Sequence, residues 1–340
     1  MPSFSRLFSY VMRACRPAYY QIKFFMVDFM RWVVLMMCGL LAACQVTPVQ
    51  KGATEPVELT AQQALPKWQS PRARDHQRVG QIMDMRSRQV ISVAQLVQEL
   101  ATTPVLLLGE KHDNPDHHAL QLWLLDALAA QRQQGAVVME MLTVDQQAKV
   151  DAVQADVRQG TVPADIPAAL NWHKGWDWQQ YGEFVSHVLA QPYPLLAGNL
   201  NRDALMQIYR QPPVLKGVES TRADVTQRLS AQIRESHCNK LPEAQLPAML
   251  AVQQQRDRTM AQVVLDAPKP ALLIAGAYHT RYDFGVPLHL HDLQAAAGTT
   301  PPVQQRVLIF AEADQEIDAG AADFIWYTPA VAEKDYCADL

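Results

Sequence analysis

Short apolar segments recur along the chain from residue 79 onward, and stretches with helical patterning separate most of them. Two of these segments, VLLLGE at 105–110 and AVVMEML at 136–142, are apolar without alternation, which is typical of strands buried on both faces. Further strands are predicted at 79–85, 193–200, 271–279, 306–312 and 323–329. Buried strands that alternate with helices predict an α/β fold with a largely parallel sheet flanked by helices.

Helix start signals and segment lengths complete this prediction. Asn114 followed by Pro115 has the form of an N-cap and a first helical residue. The segments near 145–190 and 203–265 are mostly helical in character and are too long for simple crossovers between strands. We expect them to form a smaller helical subdomain beside the sheet.

The N-terminal segment has the layout of a secretory signal. Residues 32–43 form an apolar run that is too short to span a bilayer as a mature helix, and Arg31 precedes it. The tetrapeptide LAAC at 41–44 matches the lipobox of bacterial lipoproteins, in which the cysteine thiol receives the lipid. We therefore expect residues 1–43 to be a lipoprotein signal peptide and Cys44 to be lipidated.

Three further expectations concern this end of the chain. The signal is unusually long, and the true start is expected at Met26 or Met30. Gln45, rather than Asp, resembles the pattern that sorts lipoproteins to the outer membrane, facing the periplasm of a Gram-negative bacterium. Residues 44–78 are polar and without periodicity, so they are predicted to be a lipidated flexible tether for a folded domain at 79–340.

Charge and cysteine content narrow the functional class. The chain has 30 Lys and Arg against 34 Asp and Glu, and no block of basic residues, which excludes a nucleic-acid footprint. Cys15 and Cys38 leave with the signal and Cys44 carries lipid, so the mature body keeps Cys238 and Cys337. In an oxidising periplasm this pair predicts one disulfide, although the sequence does not show that the two residues meet.

Polar side chains stand at the ends of four predicted strands, namely Glu110 with His112, Glu140, Asn199 with Asn201, and His279 with Arg281. Ligands of open α/β sheets bind outside the carboxyl ends of the strands, where such residues converge. The sequence therefore predicts a pocket at this edge of the sheet.

The residue types in the pocket allow more than one chemistry. Glu110, His112, Glu140 and His279 make a mixed nitrogen and oxygen set for a divalent metal or a general acid–base pair. The spacing is not that of a helix-borne HExxH zinc motif, and no phosphate loop, GxSxG elbow or CxxCH haem attachment is present. Simpler explanations stay open, with Glu110 as a helix cap and His112 as a turn residue. His117 and His118 fall in a first helical turn, where we expect one to face solvent and neither to need a function.

These residues lie in segments that resemble the ChaN-like haem-binding lipoproteins, a branch of the Tiki and erythromycin-esterase-like superfamily. The resemblance spans roughly residues 79–330. The segments that carry it are LLLGEKHDNPDHH, VVMEML, LLAGNLNR, SHCNKLP with QQQRDRTMA, and LIAGAYHTRYDFGVP. It implies an iron-regulated lipoprotein that binds haem and assists its uptake, with haem held by tyrosine between the two subunits of a homodimer and an outer-membrane haem receptor as partner.

The resemblance also suggests ligands and an alternative activity. Tyr181, Tyr278 and Tyr282 lie near family-like segments, and Tyr282 and Tyr181 are our predicted haem ligands, with Arg281 assisting the phenolate or pairing with a propionate. Tiki relatives use a GExH element with later Glu and His residues as a metal-dependent protease site. Here that element begins at Gly109, so the alternative function is a metal-dependent hydrolase at the strand-end Glu/His set. A third reading is a protein-interaction lipoprotein whose site is vestigial.

Overall fold

A computed structural model describes residues 64–338 of the chain. The predicted signal peptide, Cys44 and most of the predicted tether lie outside the described residues. No helix within 64–338 is both long enough and apolar enough to cross a membrane.

In the described part of the chain, eight strands form one sheet in the order β2-β1-β8-β7-β3-β6-β4-β5. The strands are β1 (Ile82–Asp84), β2 (Gln89–Ile91), β3 (Val105–Glu110), β4 (Ala136–Thr143), β5 (Leu195–Asn199), β6 (Ala271–Gly276), β7 (Gln305–Glu312) and β8 (Phe324–Thr328). Strands β3 to β8 pair in parallel, whereas β1 is antiparallel to β8 and to β2. The predicted fold class, a largely parallel sheet flanked by helices, is confirmed.

Helices connect the strands and cover both faces of the sheet. They are α1 (Val93–Ala101), α2 (Pro115–Ala129), α3 (Gln147–Arg158), α4 (Ile166–Leu170), α5 (Trp178–Leu189), α6 (Arg202–Arg210), α7 (Ala223–Ser236), α8 (Leu246–Asp266), α9 (Ala277–Thr280) and α10 (Val286–Ala296). Successive strand residues point to opposite faces, so Leu106 and Leu108 pack under α1 to α5, while Val105 and Leu107 pack under α8 and α10.

The two long helical segments take separate positions rather than joining into one subdomain. Residues 145–190 supply α3 to α5, which cover the first face of the sheet. Residues 203–265 supply α8 for the second face, and α7 packs with Phe284 in a small core of its own. The physical reason is that a sheet buried on both faces needs helices on each side.

The folded domain begins before the predicted boundary at residue 79. The backbone N–H groups of Gln69 and Ser70 donate to the Asp116 carboxylate over 2.6 and 3.1 Å, and Arg72 pairs with Ala330 in an isolated antiparallel bridge. Ser70 is buried. The last part of the predicted tether is therefore attached to the domain, because its backbone satisfies a carboxylate at the start of α2.

The C-terminal segment after β8 is attached at its far end. A disulfide joins Cys337 to Cys238, which lies two residues beyond α7. The Tyr336 hydroxyl donates to the Asp113 carboxylate, so the segment also contacts the loop that follows β3.

Candidate functional site

Parallel strands bring the predicted site residues to one edge of the sheet. Glu110 is the last residue of β3, and β3 lies beside β6, whose last residue is Gly276. His279 follows in α9, and Glu140 lies in β4 on the other side of β6. The predicted meeting of these strand ends is what the structure shows.

Glu110 is buried and accepts hydrogen bonds on both carboxylate oxygens. The Tyr181 hydroxyl donates to Oε1 over 2.6 Å, and His112 Nδ1 lies 3.0 Å from the same oxygen. Gln121 Nε2 donates to Oε2 over 2.5 Å, and His118 Nδ1 lies 3.3 Å from it. Burial opposes the charge of Glu110, but His118 and His112 hold the pKa of this carboxyl well below its usual range.

Both histidines at the start of α2 are buried, so the expectation that one faces solvent is wrong. His117 accepts from the Lys111 N–H at Nδ1 over 2.9 Å and contacts the Thr328 hydroxyl through Nε2, and burial lowers its pKa to about 3. His118 faces Glu110 instead. The first turn of α2 lies against the strand ends, which leaves neither imidazole on the surface.

A second carboxylate–imidazole group lies beside the first. Glu140 accepts from the Gly276 N–H over 2.8 Å, and its other oxygen lies 3.3 Å from His279 Nε2. His279 Nδ1 contacts the buried carboxylate of Asp257 in α8. Burial alone would lower the pKa of His279, but the charges of Glu140 and Asp257 raise it to about 10. The imidazole is thus held protonated between two carboxylates.

His112 connects the two groups. Its ring lies against Gly276, where an added Cβ would come within 2.7 Å of Nε2, and the Gly276 backbone binds Glu140. The ring of Trp176 meets His112 edge-on at 4.9 Å. The His112 side chain is 41% exposed, so it is the point at which this buried network reaches solvent.

The geometry suits holding and moving protons more than holding a metal ion. Within residues 64–338, no group of three or more His, Cys, Asp or Glu side chains is arranged to hold a metal. The atoms that would bind a metal ion are instead paired with each other. His112 Nδ1 contacts Glu110 Oε1, and His279 Nε2 contacts Glu140 Oε1. The predicted divalent-metal site therefore has no support from the described residues.

The predicted haem residues are not brought together. Tyr181 is buried in the site, with its hydroxyl held by Glu110. The Tyr282 hydroxyl donates to Asp323 over 2.6 Å at the amino end of β8, the opposite edge of the sheet. Arg281 pairs with Asp283 and Asp318.

Tyr278 is arranged differently from these two tyrosines. Its side chain is 47% exposed, next to His279, and its ring stacks on Phe284 with centroids 6.4 Å apart. Burial of part of the side chain raises the pKa of the Tyr278 phenol, and the charge of Glu235 adds to this.

Sequence reasoning missed several residues of the site, namely His118, Gln121, Trp176, Asp257 and Glu312. The sequence does mark Glu312, because this residue ends an apolar strand just as Glu110 does. In the structure its buried carboxylate binds the Lys111 ammonium over 3.0 and 3.1 Å. Asp257 lies in QQQRDRTMA, one of the segments that carry the family resemblance, but periodicity does not mark it, since it lies inside a helix with only a loose amphipathic pattern.

Comparison with known proteins confirms the resemblance seen in the sequence motifs. Residues 96–290 match the family described as haem-binding uptake, Tiki superfamily, ChaN. The fold is similar to ChaN of Campylobacter jejuni, solved with cofacial heme binding, at 31% identity and a TM-score of 0.66. That match covers 72% of this chain and 95% of the other.

Weaker similarities link the chain to two further solved structures. One is RRSP, a MARTX toxin effector domain from Vibrio vulnificus, at 15% identity and a TM-score of 0.40, covering 75% of this chain and 41% of the other. The other is a mutant of the erythromycin esterase EreC in its open conformation, at 12% identity and a TM-score of 0.37, covering 72% and 77%. No curated protein sequence matches the chain.

Proposed function

Because the chain belongs to the ChaN haem-binding uptake family of the Tiki superfamily, we propose that it is a haem-binding lipoprotein of the outer membrane that assists haem and iron acquisition. The observation that carries the proposal is the 31% identity to ChaN of Campylobacter jejuni over 95% of that chain. The lipobox ending at Cys44 supports the lipid anchor. The proposal includes a homodimer around haem and an outer-membrane haem receptor as partner.

The described residues fit a tyrosine-ligated haem at one position. Ferric haem accepts a phenolate oxygen as an axial ligand. The hydroxyls of Tyr181 and Tyr282 already donate to the buried carboxylates of Glu110 and Asp323. Tyr278 and Tyr336 are both exposed at the strand-end edge, but the Tyr336 hydroxyl donates to Asp113, whereas Tyr278 lies next to His279 with Phe284 beside it as an aromatic face. We therefore move the proposed ligand from Tyr282 and Tyr181 to Tyr278.

Haem titration tests this function without any assumption about a substrate. The mature chain titrated with hemin should give a saturable Soret band, and Tyr278→Phe should lose most of it. Tyr282→Phe and Tyr181→Phe are matched controls that should keep the band, with circular dichroism to show that each variant is folded. A featureless titration of the unmodified chain would overturn the proposed function. Loss of the band in Tyr282→Phe alone would return the ligand to that residue.

One observation favours a hydrolase as a second candidate, namely the two adjacent carboxylate–imidazole pairs at a sheet edge. Such pairs are the groups that general acid–base catalysis uses. Elemental analysis of the purified chain measures its metal content and so tests whether such a hydrolase depends on a metal. A stoichiometric divalent metal that is lost in His112→Ala with His279→Ala would support it, and a metal-free chain would count against it.

A further inference from the structure

In the segment from α6 to residue 218, three apolar side chains are exposed and three are partly buried, with α6 packed beside α8. We call these residues the apolar surface: Leu205, Met206, Ile208, Tyr209, Val214 and Val218. No residue of α6 is buried, although its apolar residues cluster strongly on one side. Val214 is 91% exposed and Val218 is 75% exposed. None of the six belongs to the three hydrophobic clusters of the described chain.

Exposed apolar residues elsewhere on the described chain are scattered. Val90, Val144 and Val162 stand in separate elements or loops. Single exposed valines are ordinary on soluble surfaces, whereas exposed apolar residues grouped in one segment are typical of a binding surface. The apolar surface contains Val214 and Val218, the two most exposed large apolar residues of the described chain.

Basic side chains accompany the apolar surface. Arg202, Met206 and Arg210 are four residues apart, which places both guanidinium groups on the same side of α6 as the exposed methionine. Arg202, Arg210 and Lys216 have no carboxylate partner among the described residues. Residues 202–218 hold three basic residues and one acidic residue, Asp203, whereas the whole chain carries a net charge of −4. Apolar residues flanked by unpaired basic ones are complementary to an anionic bilayer surface.

The proposed anchor makes even a weak interaction with lipid effective. Even fully extended, the chain between Cys44 and Ala64 reaches about 70 Å at most, so an anchored domain cannot leave the neighbourhood of the bilayer. Contact with lipid is then an intramolecular event that needs little intrinsic affinity.

We propose that the apolar surface docks onto the anionic face of the membrane, with Val214 and Val218 entering the headgroup region. This inference rests on the proposed lipid anchor. Since α6 follows β5 by way of Asn201, the surface begins at the same sheet edge as the candidate site. Docking therefore brings the site close to the bilayer, where an amphipathic ligand such as haem is concentrated.

The test places a fluorophore on the surface of the anchored protein. Mature chain lipidated at Cys44 carries Val214→Cys labelled with an environment-sensitive dye, in vesicles of phosphatidylethanolamine and phosphatidylglycerol with a spin-labelled phospholipid as quencher. We expect quenching at least twofold stronger than for the matched control Val162→Cys, whose valine is 61% exposed on another loop. Equal quenching at the two positions would overturn the proposal.

Two further measurements test the contribution of the basic residues and the self-association of the chain. Arg202→Glu with Arg210→Glu should reduce quenching at position 214, because each basic residue strengthens binding to an anionic surface by about fivefold. Unchanged quenching would overturn the electrostatic part. A dye signal that follows protein concentration and ignores the quencher would assign the surface to a second copy of the chain and overturn membrane docking.

Failure of docking is separable from failure of the proposed function. Mass spectrometry of the mature protein shows whether Cys44 carries lipid, and hemin titration reports haem binding without vesicles. A lipidated, haem-binding chain without quenching at position 214 would overturn docking alone. A Cys44→Ala chain that floats with anionic vesicles, and loses this in Val214→Asp with Val218→Asp, would support docking even without the anchor.

Discussion

At the residue scale, Glu110 and Glu140 are buried carboxylates that keep their charge because imidazoles contact them. Burying an isolated carboxylate is costly, and a protonated or donating partner reduces the cost. His279 has such partners on both ring nitrogens, in Glu140 and Asp257. Removing one partner of such a group leaves an uncompensated buried charge, so the pairs are expected to respond strongly to mutation and to pH.

The stability of the protein should fall as pH rises from 7 towards 10. The pKa of His279 is raised to about 10 in the folded state, above its ordinary value of 6.5, so its contribution is complete below about 6.5 and is lost as pH approaches 10. We expect urea unfolding to show a decline of up to about 1.4 kcal/mol per pH unit from this group. Glu140→Gln should flatten that slope, and an equally steep slope in the variant would contradict the assignment.

Replacing each of two site glycines by alanine should cause losses of stability that differ sharply in size. In Gly276→Ala the new Cβ would lie 2.7 Å from Nε2 of the half-exposed His112 ring, a side chain rather than backbone, and 3.6 Å from Glu140 Oε2, which is an ordinary contact. We expect a stability loss below about 1 kcal/mol and, by NMR titration, a fall in the raised pKa of His112 as its bond to Glu110 loosens.

The matched comparison is Gly109→Ala, one residue before Glu110. Its Cβ would collide with the Thr280 hydroxyl and lie 3.0 Å from the Ala277 backbone, which cannot move aside easily. Overpacking of this kind costs about 1–3 kcal/mol. Equal stability losses at the two glycines would show that the His112 ring is not free to move.

At the scale of elements, the start of α2 shows how one residue serves both a helix and the tertiary structure. The Asn114 side chain accepts from the Asp116 N–H over 3.0 Å, as an N-cap does. The same side chain donates to Glu312 and to the Pro329 carbonyl and accepts from the Ser70 hydroxyl. It thereby joins α2 to the end of β7, to the chain after β8 and to the N-terminal segment.

Asn114→Ala should therefore cost more than an ordinary N-cap substitution. We expect a loss of about 3 kcal/mol in the free energy of unfolding, because buried partners lose their hydrogen bonds along with the cap. Asp177→Ala at the exposed N-cap of α5 is the control and should cost about 1 kcal/mol. Chemical denaturation of both variants checks this, and equal losses would mean that the tertiary bonds of Asn114 add nothing.

At the scale of the whole molecule, the C-terminal segment returns to the edge where the site lies. The Val331 N–H donates to Glu312, Tyr336 donates to Asp113, and Cys337 is bonded to Cys238. The segment thus connects the end of β8, the loop after β3 and the end of α7. Contacts of this range depend on the complete fold, since their partners are far apart along the chain.

Loss of the disulfide should destabilise the whole domain. The bond closes a loop with a sequence separation of 99 residues, for which chain entropy predicts a contribution of about 4–5 kcal/mol. Cys238→Ser with Cys337→Ser should unfold at lower denaturant concentration than the oxidised chain and show no further response to dithiothreitol. If reduction leaves the unfolding midpoint of the unmodified chain unchanged, the contribution is absent.

The sequence by itself determined the strands around the site, because continuous apolar runs such as 105–110 and helix signals such as Asn114 are local consequences of burial and backbone geometry. It also determined that strand-end polar residues share one edge, since parallel pairing leaves no other arrangement. It did not reveal β2, a strand of three residues without an apolar pattern. Only the tertiary structure decided which partners these residues have. Asp257 contacts His279, and His118 contacts Glu110, because helices pack on the sheet. A sequence pattern indicates that a side chain is buried, but it does not indicate which residues surround that side chain.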